Sequence, residues 1–147
     1  MGFLDVLKSA ASGLTGSMKK LANNDVMHAI AAGCAVVAAA DGSIDVEEKA
    51  KMLGFIKRRE ELKVFKASDV SAAFASAADD IEFDYEIGKL EAAKHLRKMD
   101  GKTESAELVA KICCAIGASD GDFDDDEKDS VRWICSEMGI SASVVGL

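Results

Sequence analysis

The chain has no proline, and only one tryptophan, one tyrosine and six phenylalanines among its 147 residues. Each shortage excludes something. Proline is the residue helices tolerate worst, and sheets draw on β-branched and aromatic residues. A chain with no proline and 5% aromatics, but much Ala, Leu and Met, therefore points to an all-helical fold. Positive charge is also short. Eighteen Lys and Arg face 26 Asp and Glu, for a net charge of −8, and this argues against nucleic acid, whose phosphates demand a basic face. The longest apolar run, Ala29 to Ala40, is too short to cross a bilayer. The two histidines, His28 and His95, belong to no H-E-x-x-H or His/Cys cluster, which disfavours a dedicated zinc hydrolase. No Ser/His/Asp or Cys/His arrangement and no glycine-rich phosphate loop declares itself. Cys34, Cys113, Cys114 and Cys135 show no C-x-x-C spacing. With no signal peptide, they read as reduced thiols of a cytoplasmic protein.

What the chain has in excess is acid, arranged twice in one pattern. Asp41-Gly42-Ser43-Ile44-Asp45-Val46-Glu47-Glu48-Lys49 returns, 79 positions later, as Asp120-Gly121-Asp122-Phe123-Asp124-Asp125-Asp126-Glu127-Lys128. Ala31 with Ala110, Cys34 with Cys113, and Ala39 with Ala118 fall in the same register. The match predicts a duplicated helix–turn–helix unit, over about residues 25–59 and 104–138, in a compact bundle of about seven helices. Residues 23–147 read as its core domain. Residues 1–22 read as an amphipathic N-terminal helix, with apolar positions 3, 4, 7, 11, 14, 18 and 21 along one stripe. Lys8, Lys19 and Lys20 against Asp5 make that helix basic, so it can lie on its own domain or on an anionic membrane surface.

Between these units the signals are local. A central apolar helix is expected from about Asp25 to Ala40, ended by Asp41-Gly42, with glycine suited to the left-handed position after a helix. Asp45 starts the next helix as N-cap, with Glu48 reaching back, and that helix runs to about Arg59. A short turn spans Glu60 to Phe65. Ser68 is expected to cap a helix to about Ala78, and Phe83-Asp84 to open another to Met99. Thr103 begins a helix to about Ser119, Asp124 begins one ending at Gly139, and Ser141 starts a terminal turn.

The two turns overlap part of an EF-hand loop. If Asp41 takes position 5, then Gly42, Ile44, Asp45 and Glu48 fall at 6, 8, 9 and 12, as do Gly121, Phe123, Asp124 and Glu127 after Asp120. Positions 1 and 3 would be Val37 and Ala39, or Ile116 and Ala118, which offer no side-chain oxygen, so neither turn alone is an EF-hand. Helix capping accounts for Asp45, Glu48, Asp124 and Glu127 without any ligand. It does not account for residues 119–129, which hold seven acids and one lysine. Such crowding raises the carboxyl pKa values unless a cation or a basic partner neutralises it. A third acidic cluster, Asp79 to Glu91, places Asp84 and Glu91 on one helical face, where they could join the two turns if the fold brings them together. The candidate metal ligands are thus Asp41, Glu48, Asp84, Asp120, Asp124 and Glu127. Oxygen donors of this kind favour Ca²⁺, Mg²⁺ or Mn²⁺ over Zn²⁺.

Several segments taken in order resemble the TerB family of tellurite-resistance proteins. They are Met52-Leu53-Gly54-Phe55-Ile56, Glu60-Glu61-Leu62-Lys63-Val64-Phe65, Phe83-Asp84-Tyr85-Glu86-Ile87-Gly88-Lys89 and Ser119 to Lys128, with the start Gly2-Phe3-Leu4-Asp5 and the final Gly146-Leu147. The resemblance implies an all-helical, non-enzymatic bacterial cytoplasmic protein, working with a TerC-type integral membrane protein and calcium-binding TerD-type proteins at the inner membrane. It implies an acidic surface where Asp41, Glu48, Asp84, Asp120, Asp124 and Glu127 stand. The leading expectation is a metal-responsive binding or scaffold protein. Two others stand beside it: a metal-free acidic docking module for a basic loop of a membrane protein, and a thiol-based tellurite-handling protein using Cys113-Cys114.

Overall fold

The computed structural model describes residue 14 and residues 16–119 and 121–147. Six α-helices and two 3₁₀ turns occur among them: α1 (Asn24–Ala38), α2 (Val46–Arg58), a 3₁₀ turn (Glu60–Val64), α3 (Ala67–Phe83), α4 (Tyr85–Arg97), α5 (Thr103–Gly117), α6 (Asp125–Glu137) and a second 3₁₀ turn (Ala142–Val145). Leu14 and residues 16–21 are helical as well, and no described residue lies in a strand. The fold is all-helical, as composition predicts.

Helix α1 is the axis of the bundle. Asn23 caps it, its Oδ1 accepting the Val26 N–H at 2.9 Å. From Val26 to Val37 it buries residues on every face, and it packs against each of α2 to α6. A helix apolar all round has no solvent face to offer, so the interior is its only stable place. Its small residues set how closely the others approach. A Cβ at Gly33 would lie 2.6 Å from Cys113 Sγ on α5, and the Cys113 thiol donates to the Ile30 carbonyl at 3.6 Å. Truncating a fully buried α1 side chain such as Ile30 to Ala is expected to cost about 2–5 kcal/mol.

Helices α3 and α4 form a tight pair. Asp84 separates them in an extended conformation, and its carboxylate accepts the Ile87 N–H at 3.0 Å. Gly88 permits the contact, for a Cβ there would lie 2.4 Å from Ile81 Cα. Across from this pair, the Lys89 ammonium sits 4.5 Å from the centre of the Trp133 ring on α6 and 5.4 Å from that of Tyr85, within the range of a cation–π contact. His28 of α1 and His95 of α4 stack face to face, ring centres 5.2 Å apart and planes 17° from parallel.

The two pairs α1–α2 and α5–α6 keep one register. Helices α1 and α5 each have 15 residues and α2 and α6 each have 13. Every boundary is offset by 79 positions, from 24, 38, 46 and 58 to 103, 117, 125 and 137. Both Asp-Gly turns close alike: the Gly42 N–H donates to Ala39 O at 2.9 Å and the Gly121 N–H to Ala118 O at 3.0 Å. Both glycines have positive φ, +99° and +79°, a conformation that costs a side-chain-bearing residue energy.

Three local expectations differ from the structure. Helix α3 starts at Ala67 behind Lys66, with no side-chain cap, rather than at Ser68. It continues to Phe83 instead of stopping near Ala78, since residues 78–83 contain no glycine or proline to end it. Phe83 therefore closes α3 rather than opening α4, and it is 86% exposed. As for the N-terminal amphipathic helix over 1–22, Leu14 and Met18 are buried in the core and Lys20 pairs with Glu104 at 3.6 Å. Residues 1–13 and 15 lie outside the described residues. Among the described residues no helix is long and apolar enough to cross a membrane.

Candidate functional site

The two acidic turns meet at one cavity of about 190 Å³. The last turn of α1 supplies Val37 and Ala38 and the turn after it Ala40 and Asp41; α5 contributes Gly117. Helix α2 lays Glu48, Lys51, Met52 and Phe55 along one wall, the i, i+3, i+4, i+7 stripe of a single helix face. Asp124 and Glu127 come from the second turn and the first turn of α6. Gly117 makes the meeting possible. A Cβ there would lie 2.9 Å from both Phe123 Cε2 and Val37 Cγ1, so the missing side chain lets Phe123 close down between α5 and α1.

Four of the six sequence-derived ligand candidates thus share a cavity: Asp41, Glu48, Asp124 and Glu127. Asp120 lies outside the described residues. Asp84 is not on the cavity wall; its carboxylate is occupied capping α4. The start of α4 nevertheless lies close to both turns. Burial raises the phenol pKa of Tyr85, and the charges of Glu86, Asp41 and Asp126 add to the effect.

The two turns hold their acids differently. At the second, Asp124 Oδ1 accepts the Glu127 N–H at 2.8 Å and Glu127 Oε1 accepts the Asp124 N–H at 3.3 Å, a full capping box. At the first, Asp45 Oδ1 accepts the Glu48 N–H at 2.7 Å, while Asp41 Oδ1 accepts the Ser43 N–H at 3.2 Å. The Glu48 carboxyl is held above its ordinary pKa range, first by burial, then by Asp45, through charge and a hydrogen bond, and by Asp41; Lys51 pulls it the other way. Lys51, whose Nζ lies 5.9 Å from the Phe55 ring centre, and Tyr85 were not singled out from sequence. For Lys51 the signal was available, since it stands three residues after Glu48 on the same helix face.

No three His, Cys, Asp or Glu side chains among the described residues converge closely enough to hold a metal ion between them. His28 and His95 present ring faces rather than converging nitrogens. All four cysteines are buried. A hydrogen bond with Cys34 and then burial push the Cys113 thiol well up, burial raises Cys114 strongly, and burial raises Cys135 to about 11. The thiolate is the reactive form.

A family model described as tellurite resistance protein TerB matches residues 27–145. The chain belongs to the TerB family. A tellurium resistance protein TerB from Alcaligenes sp. is 34% identical over 116 residues, which cover 76% of this chain and 95% of that TerB. The match takes in both acidic turns, α1 from Met27 onward, and α2 to α6. No solved structure matches the chain.

Proposed function

We propose that this TerB-family chain is a non-enzymatic, cation-responsive binding or scaffold protein in tellurite and stress resistance, and that its acidic cavity takes a hard divalent cation. The observation that carries the reading is the meeting of Asp41 and Glu48 with Asp124 and Glu127 on one small cavity. The raised pKa of Glu48, set first by burial and then by the charges of Asp45 and Asp41, supports it, because a bound cation would offset both. The donor set is all oxygen, which suits Ca²⁺, Mg²⁺ or Mn²⁺ better than Zn²⁺. Asp120 precedes Gly121 as Asp41 precedes Gly42 and is the natural fifth donor. Lys51, already in the cavity wall, is the cation's internal competitor. The shared 79-residue register of the two helix–turn–helix units supports reading them as a duplication, with the site assembled between the copies. In this reading the protein works in the cytoplasm, at the inner face of the membrane, with TerC-type and TerD-type proteins as partners.

A second reading keeps the acidic face and drops the metal: the face docks a basic cytoplasmic loop of a membrane protein. It is favoured by the absence, among the described residues, of three converged ligand side chains, and by the occupation of Asp124 and Glu127 in a capping box. A thiol-based handling of tellurite is disfavoured by the burial of all four cysteines.

Calorimetric titration of the chelator-stripped protein with Ca²⁺, Mg²⁺, Mn²⁺ and Zn²⁺ decides between the first two. Micromolar binding that is lost in a folded Asp41→Asn/Glu48→Gln variant supports the cation site. Absence of binding by every ion removes it, and salt-sensitive, chelator-insensitive capture of a basic membrane-protein loop then supports docking.

A further inference from the structure

A second cavity, of about 240 Å³, lies at the other end of α2 and uses no residue of the acidic site. Its walls combine an apolar floor, Ile56, Leu62, Phe65 and Val70, with three cations, Lys57, Arg59 and Lys63. The sequence around it departs from the acidity of the rest of the chain. Residues 57–66 hold five basic side chains against two acidic ones, in a protein of net charge −8.

The three cations are not equivalent. Arg59 is fixed: its Nε and Nη2 donate to Glu61 Oε2 and Oε1 at 3.0 and 2.9 Å, and Glu61 is buried. That pair neutralises itself and forms a rigid wall. Lys63 meets Glu60 at 2.7 Å, but both side chains are well exposed, so water and salt screen the pair and leave Lys63 open to exchange partners. Lys57 is exposed at the rim. Ala67, the first residue of α3, completes the wall, and no side chain caps that helix. The rim is therefore cationic and adaptable, while the floor is apolar. Drug-sized ligands occupy pockets of about 300–1,000 Å³, so this cavity suits a headgroup and the first few carbons of a chain.

We propose that this cavity binds an anionic amphiphile, with its phosphate or carboxylate at Lys57 and Lys63 and its first methylenes on Ile56, Leu62, Phe65 and Val70. Neither half alone matches the site. A free anion leaves the apolar floor wet, and an uncharged alkyl chain makes no use of the cationic rim.

The test is calorimetry of the full chain with octyl phosphate, octanol and inorganic phosphate. It is repeated on Lys57→Glu/Lys63→Glu, which reverses the rim charge at exposed positions, and on Ala67→Phe, which fills the mouth and keeps every charge. The expected result is saturable one-to-one binding of octyl phosphate, weakened at least tenfold in both variants and at least tenfold weaker for the other two probes. Absent or non-saturable binding overturns the proposal, as does binding that either folded variant retains or that inorganic phosphate equals. Flotation with phosphatidylcholine vesicles, with and without phosphatidylglycerol, separates the sources. Flotation that needs phosphatidylglycerol and fails in both variants assigns the site to a membrane lipid. Octyl phosphate binding without flotation assigns it to a free amphiphile.

Discussion

Replacing Gly88 with alanine tests the tight contact between α3 and α4. The new Cβ would lie 2.4 Å from Ile81 Cα, 2.5 Å from Ile81 N and 2.5 Å from Ile81 Cγ1. Non-bonded carbons rest about 3.5–4.0 Å apart, so α4 must retreat from α3 by about 1 Å. The obstacle is mostly backbone, and no rotamer change removes it. Alanine is the better helix former by about 1 kcal/mol, while overpacking costs about 1–3 kcal/mol and sometimes more. A backbone clash belongs at the upper end of that range, which leaves a net loss of about 2 kcal/mol. In a domain of this size that lowers Tm by about 4–8 °C. Gly54, in the middle of α2, is the control. Nothing lies within 4 Å of its Cβ position, so Gly54→Ala should stabilise by up to about 1 kcal/mol. Urea titration followed by far-ultraviolet circular dichroism measures both. The reasoning fails if Gly88→Ala matches or exceeds the wild type, or if the two variants shift in the same direction.

Three further outcomes are expected. Asp124→Ala removes the N-cap of α6 and should cost about 1 kcal/mol in denaturant titration, with Asp124→Asn retaining most of it. The raised pKa of Glu48 means that its protonated form favours the fold. This contribution is full below the unfolded carboxyl pKa and is lost as pH rises through the folded one. Glu48→Gln should therefore raise Tm at neutral pH relative to the wild type, and the gain should shrink in mildly acidic buffer; an equal gain at both pH values would contradict this. Iodoacetamide should label none of the four buried thiols quickly in the native state at mildly alkaline pH, and all four after denaturation, as counted by mass spectrometry. Fast native labelling of Cys114 or Cys135 would reopen the thiol-based reading.

The parts of the fold that the sequence disclosed are those governed by local chemistry. Asp45 and Asp124 cap α2 and α6, Thr103 begins α5, and the Asp-Gly turns follow their helices as the motif requires. These features depend on residues three or four positions apart. Ser68 shows the limit of such reasoning, since a good capping side chain one residue further on did not decide where α3 began. The meeting of Asp41 and Glu48 with Asp124 and Glu127 depends on contacts between residues about 80 positions apart, and on Gly117 being small enough to admit Phe123. No local pattern encodes that. Asp84 illustrates the converse: its helical face suits joining the turns, but it does not line their cavity, and its Oδ1 accepts the Ile87 N–H at the start of its own helix. The cationic cavity escaped notice because Glu60 and Glu61 sit within the basic run and mask it in a linear reading, whereas in space Glu61 is turned inward to Arg59.

The placement of Lys89 over the Trp133 ring has a practical consequence. Trp133 is the only indole in the chain, and it stands on α6, the helix whose first turn carries Glu127. An ammonium 4.5 Å from that ring bears on its electronic environment. Intrinsic emission from this protein is therefore a label-free optical gauge of how α6 sits against α4, ready for use in stopped-flow mixing without any engineered dye.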